Sequence, residues 1–374
     1  MFGTRIHRGT LAALAVVLAV TVSADTGANH QQPSNQFGTS GGNVNDITRA
    51  FCCSGTLGAL VGDGQALYIL SNNHVLARTN QALPDEDVSQ PGLIDNSCAA
   101  GTIVADLTAF PPLGSTNVDA AVAELRPGTM DATGVIMDIG VPGTSTVAPA
   151  VDLSVQKSGR TTGHTAGTIG SINTNVRVQY QQNCGSGKKF MINYTNQFVV
   201  DSSSFSAGGD SGSLIVTNDA NRSPVGLLFA GSSTTTIANP IDEVLTRVSA
   251  TLGRSVGFDL SGGGPGQGGG GGGRPSLSST LSASEVARGT RAKDIHAGPL
   301  MADPAVLGVG VGQDPTAPGQ AALVIYAARG QARAAIAREL GGVRTRVVET
   351  DPIVAYGWNS ALGGVPSCKA QPAR

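Results

Sequence analysis

The sequence has few charged and few aromatic residues. Charged residues make up 13% of the 374 residues and aromatic residues 4%, whereas glycine occurs 52 times. Small residues, turns and β-branched runs favour an all-β principal domain over a helical bundle. The net charge is −2, and it becomes −4 without residues 1–24. This balance gives no reason to expect nucleic acid or an anionic membrane as a partner.

The sequence also has no C-x-x-C pair, so we expect no structural zinc site. The function predicted below requires no metal and no cofactor. Its cysteines are few, and the adjacent pair is not expected to bond to each other, because a vicinal bridge departs from the usual Cα separation. We expect one of these two to pair with Cys98 or Cys184 and the last cysteine to be free or intermolecular. The five are Cys52, Cys53, Cys98, Cys184 and Cys368.

No apolar run reaches the roughly 20 residues that a spanning helix needs. Residues 1–24 have a positive start, a short apolar core at 11–22 and small residues at the end. This pattern is typical of a cleaved secretory signal peptide, and an uncleaved anchor is the alternative. The sequence therefore predicts a secreted or periplasmic protein with no membrane contact beyond its export signal, in a compartment that permits disulfides.

A glycine-rich stretch divides the remaining chain. Residues 259–276 include a low-complexity run that cannot form a core and that predicts a flexible linker. Before it, residues 45–258 have a size usual for an all-β barrel domain, and residues 25–44 are polar and turn-rich, which predicts a loosely held N-terminal arm. After it, residues 277–374 form a second unit.

The predicted main domain contains short apolar runs separated by turn residues, which favours strands. The segment 218–223 is predicted to be a hairpin loop between two of these strands. One helix is predicted near the end of the domain, with Asn239 as its N-cap and Pro240 as its first residue. The sequence therefore predicts an antiparallel barrel domain followed by a helix.

The segment after the linker has a different pattern. Residues 282–295 have helical character, 306–312 and 321–328 have strand character, 331–340 has helical spacing, and 343–349 alternates as a half-buried strand does. This order predicts a small α+β domain without a catalytic constellation. Two roles remain open for it: docking to a substrate or surface, and intramolecular inhibition.

Three polar residues stand out as a candidate catalytic set. Ser211 lies in "GGDSGSLI", and a serine hydroxyl needs a base to become a nucleophile. His74 follows a predicted strand in "SNNHVLA", where the chain leaves a barrel core. An acid must orient this imidazole, and Asp119, at the start of an apolar strand, is favoured over Asp106. Glycines around the serine would let the N–H groups of Gly209 and Ser211 meet one developing oxyanion.

At this point the sequence resembles the trypsin-like, chymotrypsin-fold serine peptidases, particularly secreted bacterial members such as streptogrisins and α-lytic protease. The segments that carry the resemblance are "CSGTLGALV", "LYILSNNHVL", "NVDAAVAEL", "KSGRTTGHTAGTI" and "GGDSGSLI" within residues 50–250. The resemblance implies a double β-barrel with a C-terminal helix. It also implies His74 as general base, Asp119 as its orienter, Ser211 as nucleophile, and Gly209 with Ser211 as the oxyanion hole.

The sequence departs from this family near the implied substrate pocket. The resemblance places Phe205 at the pocket floor, with Phe229, Ala230 and Gly231 in the strand that lines it. A large residue at the floor favours small or medium apolar substrate side chains. Phe229 stands where many relatives carry a serine that bonds to the triad acid, so this bond is expected to be missing.

Asp210 also needs a partner, because the resemblance implies that this carboxylate is buried. No segment of the sequence supplies the new N-terminal amine that zymogen-type relatives use, so Lys157 or Arg160 is the expected cation.

The predicted function is an exported serine endopeptidase that acts on protein or peptide substrates. The alternative is a catalytically silent barrel that serves as an exported binding or adhesion protein.

Overall fold

The computed structural model describes residues 27–260, 281–331 and 336–355. The predicted signal peptide, most of the glycine-rich linker and Cys368 lie outside the described residues. Within the described residues, no helix combines the length and apolar character needed to cross a membrane.

The first seven strands form one curved sheet. They lie in the order β2-β1-β5-β6-β7-β4-β3. The strands at the two ends, β2 and β3, are consecutive in the chain and separated only by Gly58, so the sheet curls round until its ends meet. The strands are β1 (Thr39–Asn43), β2 (Gly55–Leu57), β3 (Ala59–Gly62), β4 (Leu67–Ser71), β5 (Asp87–Gln90), β6 (Thr102–Ala109) and β7 (Ala121–Leu125).

The next six strands form a second barrel. Each pairs antiparallel with its neighbours in the order β8-β9-β10-β13-β12-β11, and β11 pairs with β8 to close the ring. The strands are β8 (Ser154–Gly159), β9 (Gly163–Asn183), β10 (Ser186–Asp201), β11 (Leu214–Thr217), β12 (Pro224–Gly231) and β13 (Thr235–Pro240). The fold-class prediction of a mainly-β double barrel is confirmed, as is the predicted hairpin loop at 218–223.

The helices are few. α1 (Asn73–Leu76) is a single turn after β4, and α2 (Ile241–Leu252) follows the second barrel as predicted. α2 has acids in its first turn, ends at Gly253 with a positive φ of 73°, and packs an apolar face into the core of the first barrel. The predicted N-cap was wrong. Pro240 holds the cap position, and the side chain of Asn239 bonds elsewhere. Short 3₁₀ turns lie at Ala28–Gln31 and Leu93–Asp95.

The predicted N-terminal arm is part of the fold. Residues 39–43 form β1, which is fully buried and pairs with both β2 and β5. His30 is also fully buried, and its Nδ1 lies 2.8 Å from the carbonyl oxygen of Gly38. The prediction of a loosely held arm was therefore wrong for this stretch. Its small side chains let the backbone approach its neighbours closely, which a polarity pattern does not indicate.

The segment after the linker continues the second sheet. β14 pairs antiparallel with β9, and β15 and β17 extend the sheet from there, while α3 packs on β14 and β15. The predicted helix and three strands are present, but residues 339–340 are a strand rather than helix, and 332–335 lie outside the described residues. Whether this segment is a separate domain stays a prediction. Its elements are α3 (Ala283–Met301), β14 (Val306–Gln313), β15 (Ala321–Ala328), β16 (Glu339–Leu340), β17 (Val343–Thr350) and β18 (Val354–Ala355).

Two disulfides link distant parts of the described chain, one within the first barrel and one between the two barrels. Cys52 bonds to Cys98 and Cys53 bonds to Cys184. The prediction that one of the adjacent cysteines pairs with Cys98 or Cys184 is confirmed, and the other pairs as well. The second bond ties the first barrel to the tip of the β9–β10 hairpin.

Candidate active site

His74 and Asp119 come from neighbouring strands of the first barrel. His74 lies in α1 after β4, and Asp119 lies two residues before β7, which pairs with β4. The Nδ1 atom of His74 is 2.6 Å from Oδ2 of Asp119, and the backbone N–H of His74 donates to Oδ1 at 3.2 Å. Because the carboxylate accepts a hydrogen bond from Nδ1, that nitrogen carries the proton, and the lone pair of Nε2 is available to accept another.

Asp119 is fully buried and held by neighbouring polar groups. Its backbone N–H donates to Oδ1 of Asn239 at 2.9 Å, and its carbonyl accepts from Nδ2 of Asn72 at 2.7 Å. These bonds fix the main chain on both sides of the carboxylate. The acid therefore cannot turn away from the imidazole without breaking buried hydrogen bonds.

Tyr180 supplies a further hydrogen bond to this carboxylate. Its hydroxyl donates to Oδ2 of Asp119 at 2.8 Å and lies 2.7 Å from the hydroxyl of Tyr194. Burial raises the pKa of Tyr180 well above its usual value of 10, so the hydroxyl stays protonated and can donate. The hydrogen bond expected to be missing because of Phe229 is thus replaced from β9, by a residue that the sequence analysis did not single out.

The other ring nitrogen of His74 points into the interior of the site. His74 is only 7% exposed, and its buried Nε2 has no hydrogen-bond partner among the described residues. A cavity of about 40 Å³ lies beside it, lined by Asp46, Tyr180 and Ala355 among others. Burial raises the pKa of Asp46 to about 7, with the charges of Arg78 and His74 acting in the opposite direction.

Ser211 lies in the loop between β10 and β11, on the second barrel, and is fully buried. Its carbonyl accepts from the N–H of Thr56 at 2.8 Å, and its Oγ is 3.5 Å from the carbonyl oxygen of Phe229. A Cβ at Gly55 would meet Val75 at 2.5 Å and the Ser211 carbonyl at 2.9 Å. Gly55 therefore lies directly between the serine and the residue after His74, and its missing side chain lets the two barrels meet here.

Between residues 208 and 212, three backbone N–H groups have no acceptor among the described residues, those of Gly208, Gly209 and Ser211. The neighbouring N–H groups of Asp210 and Gly212 each donate to a carbonyl. Gly209 has φ of 102°, and its carbonyl accepts from Oγ1 of Thr56 at 2.9 Å. The positive φ turns this peptide in a way that only glycine adopts readily.

Asp210 is fully buried beside a buried cation. Nζ of Lys157 lies 3.4 Å from Oδ2 of Asp210, and both side chains are 0% exposed. The backbone N–H groups of Thr161 and Thr162 also donate to the carboxylate, at 2.8 and 3.2 Å. The predicted lysine partner is confirmed. The alternative cation, Arg160, pairs with an aspartate in the first barrel instead.

The other predicted residues lie at different places in the structure. Phe205 is 0% exposed and packs in the core of the second barrel, so it does not line the cavity beside His74. Phe229, Ala230 and Gly231 lie on β12, and the last two are paired with β18. The competing acid Asp106 is part of an exposed ion pair with an arginine at 2.5 Å, away from the imidazole.

Sequence reasoning missed Tyr180 and the bond made by Asn239. A weak signal existed for Tyr180, because "VRVQYQQN" alternates and places Val176, Val178 and Tyr180 on one face of a strand. No short-range pattern indicated that this face meets Asp119, which is 61 residues away in the chain.

Comparison with known proteins places the chain near bacterial serine proteases of the chymotrypsin fold among solved structures. A glutamic acid specific serine protease is 23% identical, with 56% of this chain and 96% of that chain covered and a TM-score of 0.39. Protease A of Thermobifida fusca is 18% identical (57% and 94% covered, TM-score 0.38), and Nocardiopsis protease is 16% identical (56% and 96% covered, TM-score 0.37). No family model and no curated protein matches the chain. The activities in these names are those of the compared proteins.

Proposed function

We propose that this protein is an exported serine endopeptidase. The observation that carries the proposal is the buried pair of His74 and Asp119, with Nε2 unpartnered inside the site and Ser211 on the facing barrel. An imidazole held in this tautomer can act as a base, because its Nε2 can accept a proton. The Ser211 hydroxyl has one long contact among the described residues, 3.5 Å to a carbonyl oxygen, and we propose that it turns toward the imidazole in the reaction.

In the proposed reaction, Nε2 of His74 removes the proton as Oγ of Ser211 attacks a peptide carbonyl carbon. The N–H groups of Gly209 and Ser211 receive the negative oxygen of the tetrahedral intermediate. His74 then gives the proton to the leaving amine, the C–N bond breaks and an acyl-enzyme remains. Water, deprotonated by the same imidazole, hydrolyses the ester and restores the serine.

The surroundings support a preformed acid–base pair and an anchored serine loop. Asp119 faces the imidazole with its carboxylate fixed by Tyr180, and the loop carrying the serine is anchored by the buried Lys157–Asp210 pair. Because the cation belongs to the same chain, we propose that folding alone orders this loop, without cleavage at a new N-terminus. The two disulfides are consistent with export to an oxidising compartment, which residues 1–24 would direct.

A fluorophosphonate tests this proposal directly. An activated Oγ displaces fluoride and forms an oxygen–phosphorus bond, which intact mass detects. We expect one adduct on Ser211 that is absent in Ser211→Ala and in His74→Ala. Ser204→Ala is the matched control, because Ser204 is an exposed serine in the same loop, and this variant should keep the adduct. No adduct after prolonged exposure in any variant that keeps Ser211 and His74, or an adduct that survives in Ser211→Ala, would refute the proposal.

A further inference from the structure

The last described strand, β18, lies against the strand beside the candidate nucleophile. It pairs antiparallel with β12, with Val354 opposite Gly231 and Ala355 opposite Ala230. The next residue of β12 toward the site is Phe229, whose carbonyl oxygen is 3.5 Å from Oγ of Ser211. Because the pairing is antiparallel, β18 runs toward the serine, and Ala355 also lines the cavity beside His74.

β18 is paired on its other side as well. Val354 is in parallel register with Gln179 of β9, and the N–H of Gln179 donates to the carbonyl of Ile353 at 2.9 Å. Ile353 and Ala355 are buried in the apolar cluster that contains Tyr180. The strand is therefore held by backbone bonds along both edges and by side chains that pack directly over the candidate site.

The chain just before β18 is anchored to the loop after β12. The hydroxyl of Thr350 bonds to those of Ser232 and Thr234, the latter at 3.0 Å, and Asp351 accepts from the hydroxyl of Ser233. Farther back, β14 is paired with β9 along much of its length. The position of β18 thus follows from a continuous sheet, and it does not depend on the two residues of the strand alone.

An extended backbone beside the serine is the form in which a peptide substrate would reach it. A strand edge binds such a peptide through main-chain hydrogen bonds, and one edge cannot pair with two strands at once. A segment tethered in the same molecule competes at an effective concentration in the millimolar range, which a free peptide rarely reaches. The same contacts that hold β18 therefore exclude a substrate from Ala230 and Gly231.

We propose that residues 353–355 are an intramolecular competitive inhibitor, which fills the peptide-binding edge of β12 until the segment is displaced. This proposal rests on the proposed function for its consequence, but the occupancy itself can be measured without catalysis. It assigns inhibition, the second of the two roles left open by the sequence, to the segment after the linker.

The binding test uses full-length protein carrying Ser211→Ala, so that no probe is cleaved. The probe is a fluorescein-labelled hexapeptide with the sequence of residues 350–355, followed by fluorescence anisotropy. Val354→Asp places a carboxylate at a half-buried position that packs against the second barrel, and it should expel β18. We expect the dissociation constant of the probe to fall at least about tenfold relative to the protein with Val354 intact.

The matched control is Val347→Asp, the same substitution at a valine on β17 that is 36% exposed. It should leave probe binding unchanged. Val354→Ala is the milder variant for the case in which the aspartate unfolds the segment, and it should lower the dissociation constant about threefold. Equal binding to the Val354-intact protein, Val354→Asp and Val354→Ala, including no binding to any of them, would overturn the inference.

A parallel measurement separates this inference from the proposed function. With Ser211 present, the fluorophosphonate labelling rate should be at least about tenfold higher in Val354→Asp than in wild type or Val347→Asp. No labelling in any variant would refute the peptidase while the anisotropy result still decided the occupancy. Equal labelling rates in all variants would keep the peptidase and refute the inhibitor.

Discussion

Removing one hydroxyl, with Tyr180→Phe, tests whether the contact between β9 and Asp119 serves the reaction. The ring and its packing remain, and only the 2.8 Å hydrogen bond to the carboxylate and the 2.7 Å bond to the hydroxyl of Tyr194 are lost. If the site works as proposed, Asp119 stays ionised while His74 becomes an imidazolium during the reaction. A carboxylate that has lost one of its donors holds that cation in a less defined position.

The size of the effect follows from the type of bond. A hydrogen bond to a charged group contributes about 1.5–3 kcal/mol, and each 1.36 kcal/mol of transition-state stabilisation corresponds to a factor of ten in rate. We therefore expect kcat for Tyr180→Phe to fall by about 10- to 100-fold. KM should stay unchanged, because the lost bond holds the carboxylate of Asp119 and the ring of Tyr180 remains in place.

The assay is hydrolysis of a small chromogenic ester, which gives kcat and KM separately and needs no knowledge of the natural substrate. Tyr326→Phe is the matched control. Tyr326 is also fully buried and its hydroxyl also donates to a carboxylate, that of Asp201 at 3.0 Å, but it lies away from His74. Both variants should lose similar unfolding free energy, and only Tyr180→Phe should lose kcat. An unchanged kcat in Tyr180→Phe, or an equal loss in both variants, would refute the reasoning.

Three further predictions concern groups around the candidate site. Lys157→Met leaves the buried carboxylate of Asp210 unpaired, so urea unfolding should show a loss of about 3–5 kcal/mol, and a loss below about 1 kcal/mol would contradict the assigned pairing. Gly209→Ala forces a side chain onto φ of 102°, so ester hydrolysis should drop by about 100-fold or more, whereas Gly208→Ala, where an added Cβ meets nothing within 4 Å, should remain active. The carboxyl of Asp46 has its pKa raised to about 7, so the folded state binds the proton more tightly than the unfolded state does. This stabilisation is complete below about pH 4 and is lost as the pH rises through 7. Relative to Asp46→Asn, the unfolding free energy of wild type should therefore fall by about 2 kcal/mol between pH 4 and 8. This figure is half the full linkage value, because the side chain is partly exposed. Parallel curves of unfolding free energy against pH for the two proteins would contradict the raised pKa.

Local patterns in the sequence were sufficient for many of the elements. Alternating apolar runs indicated the strands, and acids before an apolar face indicated α2, because these signals act over a few residues. The order of His74, Asp119 and Ser211, together with the glycines around the serine, indicated a candidate site whose residues the structure brings to the junction of the two barrels. The family resemblance implied a buried Asp210 and left Lys157 and Arg160 as candidate cations, and the structure pairs it with Lys157.

The sequence by itself determined the strand content, the residue types of a serine-based site and the need for a cation beside Asp210. Only the tertiary structure decided that Tyr180 donates to Asp119, that Asn239 holds the backbone of that acid rather than capping a helix, and that β18 lies along β12. In the first contact the two residues are 61 positions apart in the chain, in the second 120, and in the third more than 100. Their existence depends on the register of strands that pair across the barrels. Such a register is set by the packing of the whole sheet, since a shift of one residue turns every side chain to the other face.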